Sequence, residues 1–249
     1  MAAPIKVKYS TGGSDIGNAK DFPWEYGVPD NDFWNDLDWH MGQSFLSRFS
    51  DTEIEALNPQ LDASLPKSGK LDLLRRLLRE KLVTEEAAVA PKTLIEADNP
   101  KWRGINSALG STYRCEGNVN EELKILKYII ANSNASLVQY DHYLASLLEA
   151  TGQYEEAIEL ARPILKSLDS SLGPDSPQAH GSRRTIAMSL WKLGKKEEAE
   201  ILIKEIQDNI VLSAHGKFAE YQVEEQRILD EFTNELQKWD QSTTGGSVK

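Results

Sequence analysis

Residues 141–165 read DHYLASLLEATGQYEEAIELARPIL, and 42 residues further on the same plan returns in 183–206 as RRTIAMSLWKLGKKEEAEILIKEI. Each copy has an apolar stripe at helical spacing, then a glycine, then three residues followed by Glu-Ala, then a second helical stripe. Placing Gly152 on Gly194 also places Ala157 on Ala199, Leu144 on Ile186, Ala145 on Ala187 and Leu148 on Leu190. A third copy lies upstream in 105–130, INSALGSTYRCEGNVNEELKILKYII. There Gly117 holds the turn, while Leu109, Gly110 and Tyr113 take the places of Leu144, Ala145 and Leu148.

The small residues Gly110, Ala145 and Ala187 let the first helix of each pair approach its partner closely. The glycine after it supplies the positive φ that ends a helix in a tight turn. Ala157 and Ala199 then allow the second helix to close, with apolar residues at three- and four-residue spacing filling the interface. Neither helix can bury its stripe alone, so such pairs stack on one another. The first copy departs from the plan at Glu122, which stands where the small residue belongs. Its second helix is therefore expected to pack differently.

These residues carry a resemblance to the tetratricopeptide repeat. Its Leu-Gly-x-x-Tyr signature is matched by Leu109, Gly110 and Tyr113, and its Gly-x-x-x-Glu-Ala turn by Gly152 to Ala157 and Gly194 to Ala199. The stretch LGPDSPQAHGSRRTIAMSLWKLGKKEEAE resembles the 42-residue variant of kinesin light chains and many fungal repeat proteins, with the added length around Gly173 to Pro177. The resemblance implies an all-α fold, a right-handed α-α superhelix (TPR-like solenoid), with three pairs over 102–211. Around it the expected parts are an aromatic and acidic arm (1–50), a helical extension or degenerate repeat (51–101), a C-terminal capping helix (212–240) and a disordered tail (241–249).

In the flanks, apolar residues from Phe218 to Trp239 alternate with Glu220, Glu224, Glu225, Asp230, Glu231 and Glu235, the pattern of an amphipathic closing helix with an acidic face. Upstream, GKLDLLRRLLREKLV from Gly69 predicts a helix with Leu71, Leu74, Leu78 and Leu82 on its seam. Lys70, Arg75, Arg76, Arg79 and Lys81 fall on its polar face, and Thr84 to Leu94 is its expected partner. Leu74 to Leu78 also fits the Leu-x-x-Leu-Leu docking pattern, which leucine-rich helices generate freely. Between Asp21 and Phe45 lie seven aromatics, among them Trp24, Trp34 and Trp39, with six carboxylates and no Lys or Arg. Pro23, Gly27, Pro29 and Gly42 argue against a long helix there. An arm with three tryptophans is expected to pack, either against the helices or across their concave face as a lid. Arg75, Arg76, Arg183 and Arg184 could then form a matching basic wall.

The chain has 28 Lys plus Arg against 39 Asp plus Glu, a formal charge of −11, which counts against a general nucleic-acid binder. One cysteine, Cys115, excludes an internal disulfide and suits a reducing, cytoplasmic setting. No apolar run is long enough to span a membrane, and the first residues lack a signal peptide's apolar stretch. Ser68, Gly69 and Lys70 lack the upstream glycine of a phosphate-binding loop. The four histidines show no metal-ligand spacing, and Asp36, Asp38 and His40 read better as a solvated acidic turn than as a cation site. No metal or cofactor is expected, and Cys115 reads as a buried thiol.

The resemblance implies that the first helix of each pair lines a concave groove. Counted from the glycines, its ligand-facing positions are Ser107, Ser111 and Arg114; His142, Ser146 and Glu149; and Arg184, Met188 and Trp191. Relatives that clamp a chaperone's C-terminal carboxylate use Lys and Asn where this chain has Ser107 and Ser111, so that activity is disfavoured. The leading expectation is a non-catalytic protein that binds a peptide or partner protein in the groove, regulated by its own arm. The alternative is a small-molecule binder or acid–base enzyme (a cyclase or isomerase type) with an aromatic pocket under the arm, as in fungal biosynthesis. A third is self-association through the leucine helix or the C-terminal helix.

Overall fold

The structure, a computed structural model, describes residues 32–89, 92–133 and 138–244. Every regular element among them is helical, and the chain divides into two compact units between Leu137 and Val138.

The first unit begins with a 3-10 turn over Asp32–Trp34, followed by α1 (Trp39–Leu46) and α2 (Asp51–Leu57). Asp38 caps α1 by accepting from the Met41 amide, and Ser50 and Glu53 form a reciprocal capping box on α2. The long α3 (Lys67–Val89) and short α4 (Leu94–Ala97) precede the pair α5 (Pro100–Arg114) and α6 (Val119–Ala131). Asn99 caps α5 and Pro100 opens it, where a missing N–H costs nothing. The core is aromatic at one end: Trp34 meets Phe33 edge-on at 5.1 Å and Phe45 at 5.9 Å. Leu71, Leu74, Leu78, Trp102 and Ile105 complete it, all essentially inaccessible.

Three expectations change in this unit, and the packing reading of Leu74 to Leu78 agrees with the burial seen. Residues 32–46 are helical and woven into the core, because Asp38 nucleates α1 and Gly42 sits buried inside it. Thr84 to Val89 continues α3, since nothing breaks the helix before Pro91, and the partner of α3 is α5. Leu74, Leu77 and Leu78 are all buried, so the Leu-x-x-Leu-Leu stretch is packing. Lys70 and Arg75, assigned to a polar face, are also buried. Lys70 reaches Asp36 at 2.6 Å. Arg75 donates to the Thr112 hydroxyl and carbonyl, pairs with Glu116 at 2.6 Å and lies over the Tyr113 ring.

The second unit holds the pair α7 (Val138–Ala150) and α8 (Tyr154–Ser171), the pair α9 (Pro177–Lys192) and α10 (Lys196–Leu212), and the closing helix α11 (Gln222–Thr244). Ser176 caps α9 with Pro177 behind it, which gives the Gly173 to Pro177 insertion a structural role. The core is aliphatic, built on Ala145, Ala161, Ile186, Ala187, Ala199 and Ile206, and Leu229, Phe232 and Leu236 of α11 seal it. Val223, one of the apolar residues counted in the closing helix, is exposed, and the helix runs on through Gln241 to Thr244. The three inter-helix glycines adopt the expected left-handed conformation, with φ of 73° at Gly117, 81° at Gly152 and 77° at Gly194. Ala157 and Ala199 are wholly buried.

Candidate functional site

In the first unit α5 carries Ser107, Ser111 and Arg114 on one face. The Ser111 hydroxyl donates to the Ser107 carbonyl and accepts from Arg114 at 2.9 Å. The exposed Arg114 guanidinium lies 3.4 Å from the carboxylate of Glu122, which is itself buried on α6. Glu122 packs beside Gly110 of its partner helix, where even a Cβ would make only an ordinary contact, 3.7 Å from the Glu122 side chain. Cys115, beside this face, is inert toward nucleophilic chemistry, since burial and the Asp38 carboxylate push its thiol up to about 11.

In the second unit the predicted positions lie in the seams between helices. His142 on α7 meets the Ser182 hydroxyl of α9 at 2.9 Å, and Ser146 meets Thr185 at 3.4 Å. Burial and the nearby Arg184 charge lower the His142 pKa, favouring the neutral ring. Arg184 and Met188 are buried, where exposed groove positions were expected. The physical reason is α11, which runs parallel to α9 and occupies the place of a further first helix.

Glu225 of α11 accepts from Arg184 at 2.8 Å and lies 3.1 Å from Nδ1 of His180. Burial alone would raise the Glu225 carboxyl, but the His180 hydrogen bond and the Arg184 guanidinium outweigh it and hold it below the usual range. At the far end Asp240 accepts from the Trp191 indole at 3.0 Å and from Lys196 at 2.6 Å. Lys192 lies 3.2 Å from the centroid of the Trp239 ring. Between these ends Glu149 of α7 is pushed up to about 7 by burial and by the Glu235 carboxylate of α11, with Lys192 opposing.

The remaining sequence candidates scatter. Trp34 is a core residue of the first unit, Trp24 lies outside the described residues, and the Trp39 side chain does too. Arg183 is used structurally, pairing with Asp169 and Glu205, while Arg76 is exposed. Asp36 and Asp38 are spent on Lys70 and on the α1 cap. Among the described residues no three His, Cys, Asp or Glu side chains converge as metal ligands, and no helix is long and apolar enough to cross a membrane. A cavity of about 290 Å³ lies in the first unit against Arg48, Phe49, Lys81 and Lys101. Another of about 300 Å³ lies in the second unit against Arg162, Asp169 and Leu202. Neither is lined by a tryptophan.

Paired antiparallel helices joined by left-handed glycines, with alanines at the crossings, define a helical-repeat protein. Residues 142–178 match the family model of the tetratricopeptide repeat. Two solved structures of TPR-like repeats, from a Podosopora anserina protein named for the kinesin light chain, are similar to it. One, a single-residue variant, is 18% identical with a TM-score of 0.48, covering 72% of this chain and 91% of its own. The other is 16% identical with a TM-score of 0.48, covering 86% of this chain and 99% of its own. No curated protein matches the chain.

Proposed function

We propose that the protein is a non-catalytic interaction module that binds a partner polypeptide along the first helices of its repeats. The observation that supports this most directly is the exposed Arg114 at the end of α5, held by the buried Ser111 hydroxyl and by Glu122, with the half-buried Ser107 one turn earlier. The second unit, taken by itself, offers the half-buried Ser146 and Glu149 on α7. A guanidinium held in this way suits an acidic side chain.

The test is position-dependent photo-cross-linking in cells. A benzophenone side chain at Ser107, Arg114 or Ser146 forms adducts of one common set of partner masses, and the same group at Glu200, exposed on α10, does not. Equal adducts from Glu200, or none from any position, would remove the reading. Competition by the leader belongs to the same proposal. Phe33, Trp34 and Phe45 are core residues, so that role falls to Phe22, Trp24 and Tyr26, which lie outside the described residues. Deleting residues 1–31 then raises partner affinity, and unchanged affinity removes the leader from the account.

A further inference from the structure

The second unit ends in a seat with an unusual charge arrangement. Helix α9 carries Arg183, Arg184 and Lys192 and no carboxylate, whereas α11 carries six carboxylates against Arg227 and Lys238. Glu225, Leu229, Phe232, Leu236 and Asp240 follow one another at four, three, four and four residues, so they form a single stripe on α11. The surface that receives it is matched in order: Arg184 and His180 at one end, Met188 and its apolar neighbours in the middle, and Trp191 and Lys196 at the other. In effect the seat measures a helix with an acidic group at each end and large apolar residues between.

The occupant fits imperfectly. The exposed Glu235 carboxylate of α11 acts with burial to raise the Glu149 carboxyl of α7, against the Lys192 charge. The Nε2 atom of His180 is buried and meets no hydrogen-bond partner among the described residues. Helix α11 is joined to α10 through two short 3-10 turns over Ser213–His215 and Ala219–Tyr221, with Leu212 largely exposed just before them. A helix that kept the two end carboxylates and lacked the middle one would satisfy the seat better than the chain's own.

We propose that the face of α9 covered by α11 is the docking site for an acidic amphipathic helix of a partner protein, with α11 as its intramolecular competitor. This rests on the interaction-module reading and names its partner chemistry. The partner helix adds in parallel beside α9, places a carboxylate on Arg184 and another on Lys196 and Trp191, and buries its apolar stripe where Leu229, Phe232 and Leu236 now lie. The two ends of the seat disfavour a basic helix, because Arg184 and Lys196 stand where its cations would fall and α9 itself carries no carboxylate.

The probe is a fluorescein-labelled peptide of residues 222–240 carrying Glu235→Gln, titrated into the full chain and read by anisotropy at pH 8. The Asp240→Ala chain, loosened only at the far end of α11, binds it about tenfold more tightly than the unaltered chain. Adding Lys196→Glu to Asp240→Ala abolishes that gain, and a probe with Glu225→Lys and Asp240→Lys does not bind. Hydrogen exchange on α11 rises as the probe binds, while α9 and α10 keep their protection, which also establishes that the variants are folded. Equal binding by the Asp240→Ala and unaltered chains, or binding with α11 still protected, overturns the proposal. So does concentration-dependent dimerisation of the Asp240→Ala chain in sedimentation, because the occupant would then be a second copy's α11. If cross-links from Ser107 and Ser146 persist while the probe fails to bind, the interaction-module reading stands and this inference alone falls.

Discussion

Both units shield the first helix of a repeat with one long helix, and they do so with opposite charge. In the first, α3 brings the cation: Arg75 reaches across to the hydroxyl, carbonyl and carboxylate groups at the end of α5. In the second, α11 brings the anion, and Glu225 comes to Arg184 and His180 of α9. The two sites also differ in access to water. Glu116 and Asp72, which serve Arg75, are 29% and 74% exposed, whereas Glu225 is 5% exposed. One closing contact is therefore backed by solvent and the other depends wholly on its partners. The cores differ in the same sense, with aromatic blocks in the first unit and alanine crossings in the second.

The most damaging way to break the comparison is at the aromatic core. Trp102→Ala removes a side chain that is 1% exposed and costs about 3–5 kcal/mol. Urea unfolding reads the loss, and hydrogen exchange places it in α3 and α5 with α9 and α10 unaffected. The next test addresses the closing contacts directly. Arg184→Met leaves Glu225 buried with only His180 and costs about 3 kcal/mol, whereas Arg75→Met costs about 1–2 kcal/mol because water reaches the Glu116 and Asp72 carboxylates it leaves. Equal costs in urea melts would mean that access to solvent does not distinguish the two contacts.

A smaller effect depends on pH. The Glu149 pKa is raised on folding, so the folded chain holds that proton more tightly than the unfolded one. Its contribution is therefore favourable at acid pH and declines as the pH rises from the ordinary carboxylate value toward 7. Glu149→Gln is expected to gain about 2 kcal/mol at pH 8 and nothing near pH 5, as measured by melting at the two values. Glu225 has the opposite sign: its pKa is lowered, and its contribution is lost as the pH falls through that lowered value. The smallest test separates turn from crossing. Gly117→Ala and Gly194→Ala place a Cβ at φ of 73° and 77° and cost about 1–2 kcal/mol each. Gly110→Ala meets only ordinary contacts in a helix and is expected to change stability by less than about 1 kcal/mol.

The repeat plan could be read along the chain because its determinants are local. A glycine, an alanine five residues later and a stripe at helical spacing all fall within one helical pair, so Gly152, Ala157, Gly194 and Ala199 could be placed by counting. The site was legible only in halves. Arg184, Trp191 and the carboxylates of the closing helix could each be picked out, but their pairing links residues 41 and 49 positions apart in the chain. No local spacing encodes which face of α11 meets which face of α9. Arg75 and Lys70 escaped for a related reason: on a helical wheel they flank the leucine seam while Arg76 opposes it, and the arrival of α5 and Asp36 completes their burial. Glu122 looked like a defect because the residue that pairs with it, Arg114, is on the other helix of the pair.

The indoles at the end of α11 have an optical consequence. Trp191 donates to Asp240 and Trp239 lies beneath the Lys192 ammonium, so both chromophores sense charges that are in place only while this helix is seated. Trp34 and Trp102, sealed within the other unit, supply a steady background. Native emission thus gives the molecule a label-free gauge of its own docking state, with the signal arising at the residues that hold the helix down.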